Sequence, residues 1–272
     1  MNNNATTRRI SKIALEYNGN DQGTAQMVYS NNLVSDIPAL QFKEMKTVAS
    51  RNTNVKNWAL TGYISPDKSV GDRLTNEQFV ALALESLKKI GVTKNNQMRF
   101  DLHLSTEQRH LHFIVNRVDI SGENTVRAHK IGESFGKALR EVCLSMNLKT
   151  DVEIGAEKKQ KMLDDLQLVI QSALSFDEVI KQMFLLGYKV TLSQNVKVGV
   201  SGMRIVKLDD INTSTFRQYT PGYKLSEITN KLKINDIKLA LERNVQNQEF
   251  GIKKSNTNSN QKIENYTTKR KF

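Results

Sequence analysis

Apolar positions along the chain follow two rhythms, and each predicts a different element. Alternation with period two marks strands, and recurrence at three and four residues marks helices. Residues 9–16, RISKIALE, read as a strand entering the fold, followed by a turn cluster at Tyr17-Asn18-Gly19-Asn20. A helix is predicted over residues 37–50, with Leu40, Phe42 and Met45 apolar, and a strand over Trp58–Ile64. The clearest helix spans Asn76–Ile90. Thr75 and Gln78 have capping-box spacing, Gly91 suits the C-terminal stop, and Phe79, Leu82, Leu84, Leu87 and Ile90 form a broad apolar stripe. Strands Met98–Leu104 and His110–Val118 follow as an antiparallel pair, then a helix over Gly132–Met146 with Phe135, Leu139, Val142 and Met146 on one side. This order describes an α+β layer, one antiparallel sheet with helices packed on a face.

From Asp151 the pattern starts again. Residues 157–172 read as a helix. Ser175 and Glu178 suggest a second capping box for a helix ending at Gly187. Strands are predicted at Tyr188–Leu192 and Met203–Val206, and a last helix over Lys224–Leu241. The expected organisation is a first domain over 1–150, a small accessory α/β domain over 151–244 and a tail over 245–272. The tail is rich in Asn, Gln, Ser and Lys, which predicts disorder, with KKSNTNSNQK and TTKRKF available to phosphates.

Charge sharpens this picture. The 272 residues carry 40 Lys and Arg against 28 Asp and Glu, a net charge of +12 that points to a polyanionic partner. Residues 1–150 hold 20 basic against 14 acidic side chains, residues 151–244 hold 14 against 12, and residues 245–272 hold 6 against 2. The excess therefore favours nucleic-acid contact by the first domain and the tail. An anionic membrane is the other polyanion, but no apolar run approaches about 18 residues, and MNNNATTRR has no apolar signal core. No membrane insertion is expected, and the chain reads as cytoplasmic. Cys143, the only cysteine, falls on the apolar side of a predicted helix as a small buried side chain.

The densest chemistry lies in DLHLSTEQRHLHFIVNRVD, Asp101–Asp119. The chain has 4 histidines, and His103, His110 and His112 fall within ten positions. In a strand His110 and His112 share a face, with Leu111 and Phe113 on the other. A tight hairpin brings His103 beside them. Three converging imidazoles make a metal site. His129, in a polar stretch, reads as a surface histidine.

This segment resembles the three-histidine motif of conjugative relaxases, the mobilisation nucleases of the HUH endonuclease superfamily. Their pattern is a histidine, about six residues, His-apolar-His, then Asn-Arg, matched here by His103, His110-Leu111-His112 and Asn116-Arg117. The likeness covers roughly residues 8–150 and includes an N-terminal tyrosine, the segment SPDKSVGDRLTNEQF and a helix after the motif. Two departures stand out. Ser105 occupies a position where relatives often carry Asp, and no histidine lies near Ser65.

The resemblance implies a mobilisation protein of a bacterial plasmid or mobilisable element. Such a protein nicks one strand at an origin of transfer through a tyrosine nucleophile and forms a 5′-phosphotyrosine. It implies Mg²⁺ or Mn²⁺ at His103, His110 and His112, although imidazoles alone favour Zn, Ni or Cu. It places the nucleophile near the N-terminus. Of seven tyrosines, Tyr17 matches best and Tyr29 is the alternative, while Tyr63 reads as core. Alternation puts Asn116 on the histidine face, as a group that orients a ligand or touches DNA, and makes Arg117 a phosphate-contact candidate. Implied partners are single-stranded DNA, accessory mobilisation proteins, a coupling protein and an external helicase. Two other readings stand beside this one. A rolling-circle replication initiator shares the chemistry, but in many of those the tyrosine follows the histidines. A non-enzymatic DNA-binding accessory protein would use the histidines for a structural metal, which usually needs a fourth ligand.

Overall fold

The computed structural model describes residues 1–104, 108–210 and 222–250. The chain divides into two compact units, Met1–Ile154 and Gly155–Phe272. In chain order the first contains β1 (Asn2–Arg8), α1 (Lys12–Asn18), β2 (Gln26–Asn31), α2 (Pro38–Ala49), β3 (Ala59–Ser65), α3 (Lys68–Gly71), α4 (Asn76–Lys88), β4 (Met98–His103), β5 (His110–Asn116) and α5 (Ile131–Ser145). The strands form one five-stranded sheet in the order β1-β3-β5-β4-β2, with every neighbouring pair antiparallel.

The two faces of this sheet are covered differently. Leu60, Ile64, Phe100, Leu102, Leu111, Phe113 and Val115 form one face, packed with Phe79, Leu82 and Leu87 of α4 and Phe135, Leu139 and Val142 of α5. This is the expected helix layer. The opposite face carries a second, smaller layer, in which Ala59 and Ile114 meet Leu15 of α1 and Met45 and Ala49 of α2. Central strands buried on both sides thus present apolar groups at both phases of their alternation. The α4 stripe behaves as the sequence predicts, down to the reciprocal capping box of Thr75 and Gln78.

At the N-terminus the structure corrects the reading. RISKIALE is not a strand: the strand is Asn2–Arg8, and Lys12–Asn18 is helical. NNNATTR escapes a pattern search because it is an edge strand. Its seven residues pair with β3 from Asn2 opposite Ser65 to Arg8 opposite Ala59, and only Ala5 among them is buried. Backbone ladder bonds, which composition does not reveal, hold it. Over Lys12–Asn18 the helical period wins: Leu15 is buried, Ile13 exposed, and Lys12 pairs with Glu16 four residues on.

The second unit begins inside α6 (Asp151–Ile170), followed by α7 (Phe176–Leu185), β6 (Tyr188–Asn195), β7 (Gly199–Lys207), β8 (Tyr223–Lys224), α8 (Leu225–Ile228) and a helix over 234–250. Its antiparallel sheet has the order β6-β7-β8. Met162, Leu166, Val179, Met183, Tyr188, Ile205, Ile237 and Leu241 make its core. Four expectations change here. Helix α6 starts at Asp151 because Thr150 and Glu153 cap it reciprocally, a T-x-x-E signal that the sequence reading passed over. The helix expected over Lys224–Leu241 is two helices, broken at Thr229, whose backbone is extended, and restarted where the Asp236 carboxylate accepts the Lys233 N–H. That second helix runs to 250, so residues 245–250 are not part of a disordered tail. At α7 the Ser175 hydroxyl accepts the Glu178 N–H, but Glu178 accepts from Leu174, which leaves half a capping box. Residues 251–272 lie outside the described residues. No described helix is long and apolar enough to cross a membrane.

Phe113 shows how tightly the face opposite the histidines is filled. It is fully buried, its ring centroid lies 5.1 Å from Phe135 and 6.4 Å from Phe100, and Gly62 passes beneath it. Phe113→Ala should lower the unfolding free energy by about 3–5 kcal/mol, measured by urea denaturation.

Candidate metal centre

The antiparallel register of β4 and β5 builds the site. His103 stands directly opposite His110, and His112 lies two residues along β5, opposite Asp101. All three histidines therefore project from one face. Their ring centroids are 4.2 Å apart for His103 and His112, 5.1 Å for His103 and His110, and 5.0 Å for His110 and His112. One ligating nitrogen from each lies within 4.8 Å of the others. His103 is buried while the other two are half-buried, so the cluster opens to solvent on the β5 side.

Second hydrogen bonds set the ring tautomers. The His103 Nε2–H donates to the Asn18 carbonyl at 2.7 Å, and the His110 Nδ1–H donates to the Gln108 carbonyl at 3.1 Å. A carbonyl can only accept, so each of these nitrogens carries the proton. In a neutral ring the lone pair then falls on His103 Nδ1 and on His110 Nε2. Three imidazoles converging in this way could hold a divalent ion, which would take the neutral form of each ring.

Behind the histidines lies a charged floor. Arg99 and Asp101 share the histidine face of β4 and are 3% and 1% exposed. The Arg99 Nε donates to both Asp101 oxygens at 3.0 and 2.8 Å, its second terminal nitrogen donates to Oδ1 at 2.6 Å, and its first donates to Gln41 Oε1 at 2.7 Å. Asp101 is thus held by Arg99, although it stands across from His112.

The predicted site residues separate by position. Tyr17 is the penultimate residue of α1 and 74% exposed. The next residue, Asn18, supplies the carbonyl bonded to His103. Tyr29 points the other way. It pairs with Phe100, with ring centroids 5.0 Å apart, on the face covered by α4 and α5, and burial pushes its phenol pKa up. Tyr63, read as core, instead pairs across from His112 with ring centroids 5.8 Å apart. The signal was present, since Tyr63 is out of phase with the core residues Leu60 and Ile64.

Asn116 and Arg117 are framework groups. Asn116 is on the histidine face, as alternation requires, but fully buried, and its amide donates to the Met45 carbonyl and Gln97 Oε1. Arg117 is buried too, donating to the Val126 carbonyl twice and to the Asn57 carbonyl, and burial lowers its pKa. Its guanidinium is committed to the fold rather than to phosphates. His129 is exposed, as expected. Cys143 is buried, and desolvation pushes its thiol up to about 11, so it is protonated at neutral pH.

Residues 17–148 match the family model for relaxases, described as MobA/VirD2-like, nuclease domain. The first unit carries a relaxase-type nuclease domain. No curated protein and no solved structure matches the chain. The matched stretch of the relaxase domain opens at Tyr17 and takes in all three histidines, while β1 precedes it and completes the sheet as an edge. Ser105, at the position where relatives often carry Asp, lies outside the described residues.

The burial of Arg117 in the relaxase domain separates its two roles. Arg117→Met leaves the buried Val126 carbonyl and the part-buried Asn57 carbonyl without their donor and should lower stability by about 2 kcal/mol. The slope of DNA affinity against salt should not change, because no phosphate contact is lost. Urea denaturation and binding titrations at several salt concentrations measure both.

Proposed function

We propose that this protein is a DNA relaxase that nicks one strand at an origin of transfer, with Tyr17 as nucleophile and His103, His110 and His112 as ligands of a divalent metal. The observation that carries the reading is the hydrogen bond from His103 to the Asn18 carbonyl. It ties the end of α1, one residue after Tyr17, to the histidine cluster, which supports this reading. Tyr29 lies on the opposite face of the sheet.

In this reading the Tyr17 hydroxyl attacks the scissile phosphorus. A tyrosyl O–P bond forms as the tyrosine gives up its hydroxyl proton to water, the bond from phosphorus to the 3′-oxygen breaks, and that oxygen takes a proton from water and leaves as a 3′-hydroxyl, so no net proton is consumed. The covalent link conserves the phosphodiester, so the reverse step can rejoin the strand. A divalent ion held by the three histidines would offset charge on the non-bridging phosphate oxygens. Imidazole ligands suit Mn²⁺ better than Mg²⁺, and both are candidates. Arg99 and Asp101 hold the β4 face beneath the site, and the Asn18 and Gln108 carbonyls fix the ring tautomers.

Tyr17 precedes the histidines, which favours a relaxase over a replication initiator. In this reading strand separation calls for a helicase, and transfer calls for accessory mobilisation proteins and a coupling protein. The first unit performs catalysis. The second unit serves an accessory role, and its basic C-terminal segment adds phosphate contacts.

The test is nicking of supercoiled DNA from the parent element, with denaturing gels to detect protein bound to a 5′ end. His110→Ala and His112→Ala should lose nicking and keep DNA affinity. A chelator should do the same to the native protein, with recovery on adding Mn²⁺. Tyr17→Phe should bind metal and DNA but form no adduct, whereas Tyr29→Phe should still form it. Full nicking by either histidine variant would refute the metal site.

A further inference from the structure

We infer that the buried Arg99–Asp101 pair is a seat for the backbone that carries Tyr17, and that Gly19 is a positioning residue for strand cleavage. The inference rests on the assignment of Tyr17 as nucleophile. Tyr17 is 74% exposed, so its own packing does little to place it. Its backbone surroundings are fixed at three successive residues. The Tyr17 carbonyl accepts from the Asn20 N–H at 3.2 Å, the Asn18 carbonyl accepts from His103 at 2.7 Å, and the Gly19 N–H donates to the Leu15 carbonyl at 2.9 Å.

Gly19 lies against the Arg99 guanidinium. A Cβ at this position would stand 2.6 Å from a terminal nitrogen of Arg99, 3.3 Å from the Leu15 oxygen and 3.3 Å from Pro38 Cγ. Its backbone, φ −81° and ψ 0°, is one that any residue adopts. What the position requires is therefore the absence of a side chain, not glycine's conformational freedom.

An arginine tip would ordinarily swing away from such a contact. This one cannot do so at low cost. Asp101 holds it through two nitrogens, and Gln41 holds a third, while the Gln41 amide is itself anchored on the Ser35 carbonyl at 2.7 Å. A buried ion pair offers little stability over apolar packing of the same shape. It does fix a rigid cation in one place, against Gly19 at the C-terminal end of α1, where positive charge is favourable. Arg99, Asp101 and His103 alternate along one face of β4, so a single strand bears both the seat and a metal ligand.

The test compares Gly19→Ala with the native protein in single-turnover adduct formation on an origin-derived single-stranded oligonucleotide. A shift of about 1 Å in a reacting group can cost on the order of 100-fold in rate, and a loss of that size is expected. Mn²⁺ affinity and oligonucleotide Kd should stay within about twofold, a split that general unfolding would not produce. The same substitution is then made in an Arg99→Gln, Asp101→Asn background, which removes the rigid tip. There Gly19→Ala should cost far less, because the two changes act on one contact. If Gly19→Ala does not fold, the Arg99→Gln, Asp101→Asn protein alone should show slowed adduct formation with Mn²⁺ binding retained, and an undiminished rate overturns the inference. Equal penalties for Gly19→Ala in both backgrounds, or a native rate in Gly19→Ala, also overturn it while Tyr17→Phe remains inactive. Adduct formation by Tyr17→Phe overturns the nucleophile assignment and the inference together.

Discussion

The register between β4 and β5 is the constraint on which the rest of the structure depends. His103 opposite His110 fixes Phe100 opposite Phe113 on the other face, so one alignment sets both the histidine cluster and the core. A slip of one residue would turn the histidines toward α4 and α5 and the phenylalanines toward the site. The apolar face therefore enforces the geometry of the polar one. The pair sits inside the sheet, flanked by β3 and β2, which leaves the histidines on a rigid platform rather than on a loop.

His103 joins this platform to the N-terminal helix. Its Nε2 donates to the Asn18 carbonyl, and in the proposed chemistry its Nδ1 is the metal ligand. In the proposed chemistry the same imidazole thus orients a ligand atom and holds the segment next to Tyr17. A tyrosine displaced from this segment would leave the metal ligands intact, and a change in His103 would disturb both.

What the sequence revealed was local. The His-Leu-His spacing reports a shared face wherever a strand forms, and the α4 capping box and stripe report a helix without reference to neighbours. Long-range features stayed hidden. Strand β1 has almost no apolar residues and exists through its ladder with β3. The position of Tyr63 beside His112 depends on β3 lying next to β5. Asn116 was placed on the right face, yet alternation cannot show that α2 covers that end of the strand, nor that residues 117–126 fold back to occupy Arg117. Gly19 reads as a turn residue, and only the tertiary contact with Arg99 shows why a side chain has no room there.

The central claim is that one exposed tyrosine, tied to a three-histidine cluster by the neighbouring carbonyl, receives the DNA strand. Direct localisation of the bond tests it. The protein is allowed to cleave in Mn²⁺, the adduct is digested with trypsin, and the nucleotide-bearing peptide is sequenced by fragmentation, because Tyr17 and Tyr29 share the peptide between Lys12 and Lys43. The account predicts the added mass on Tyr17. Its recovery on Tyr29 or Tyr63, or cleavage with no tyrosine-linked product, would contradict it.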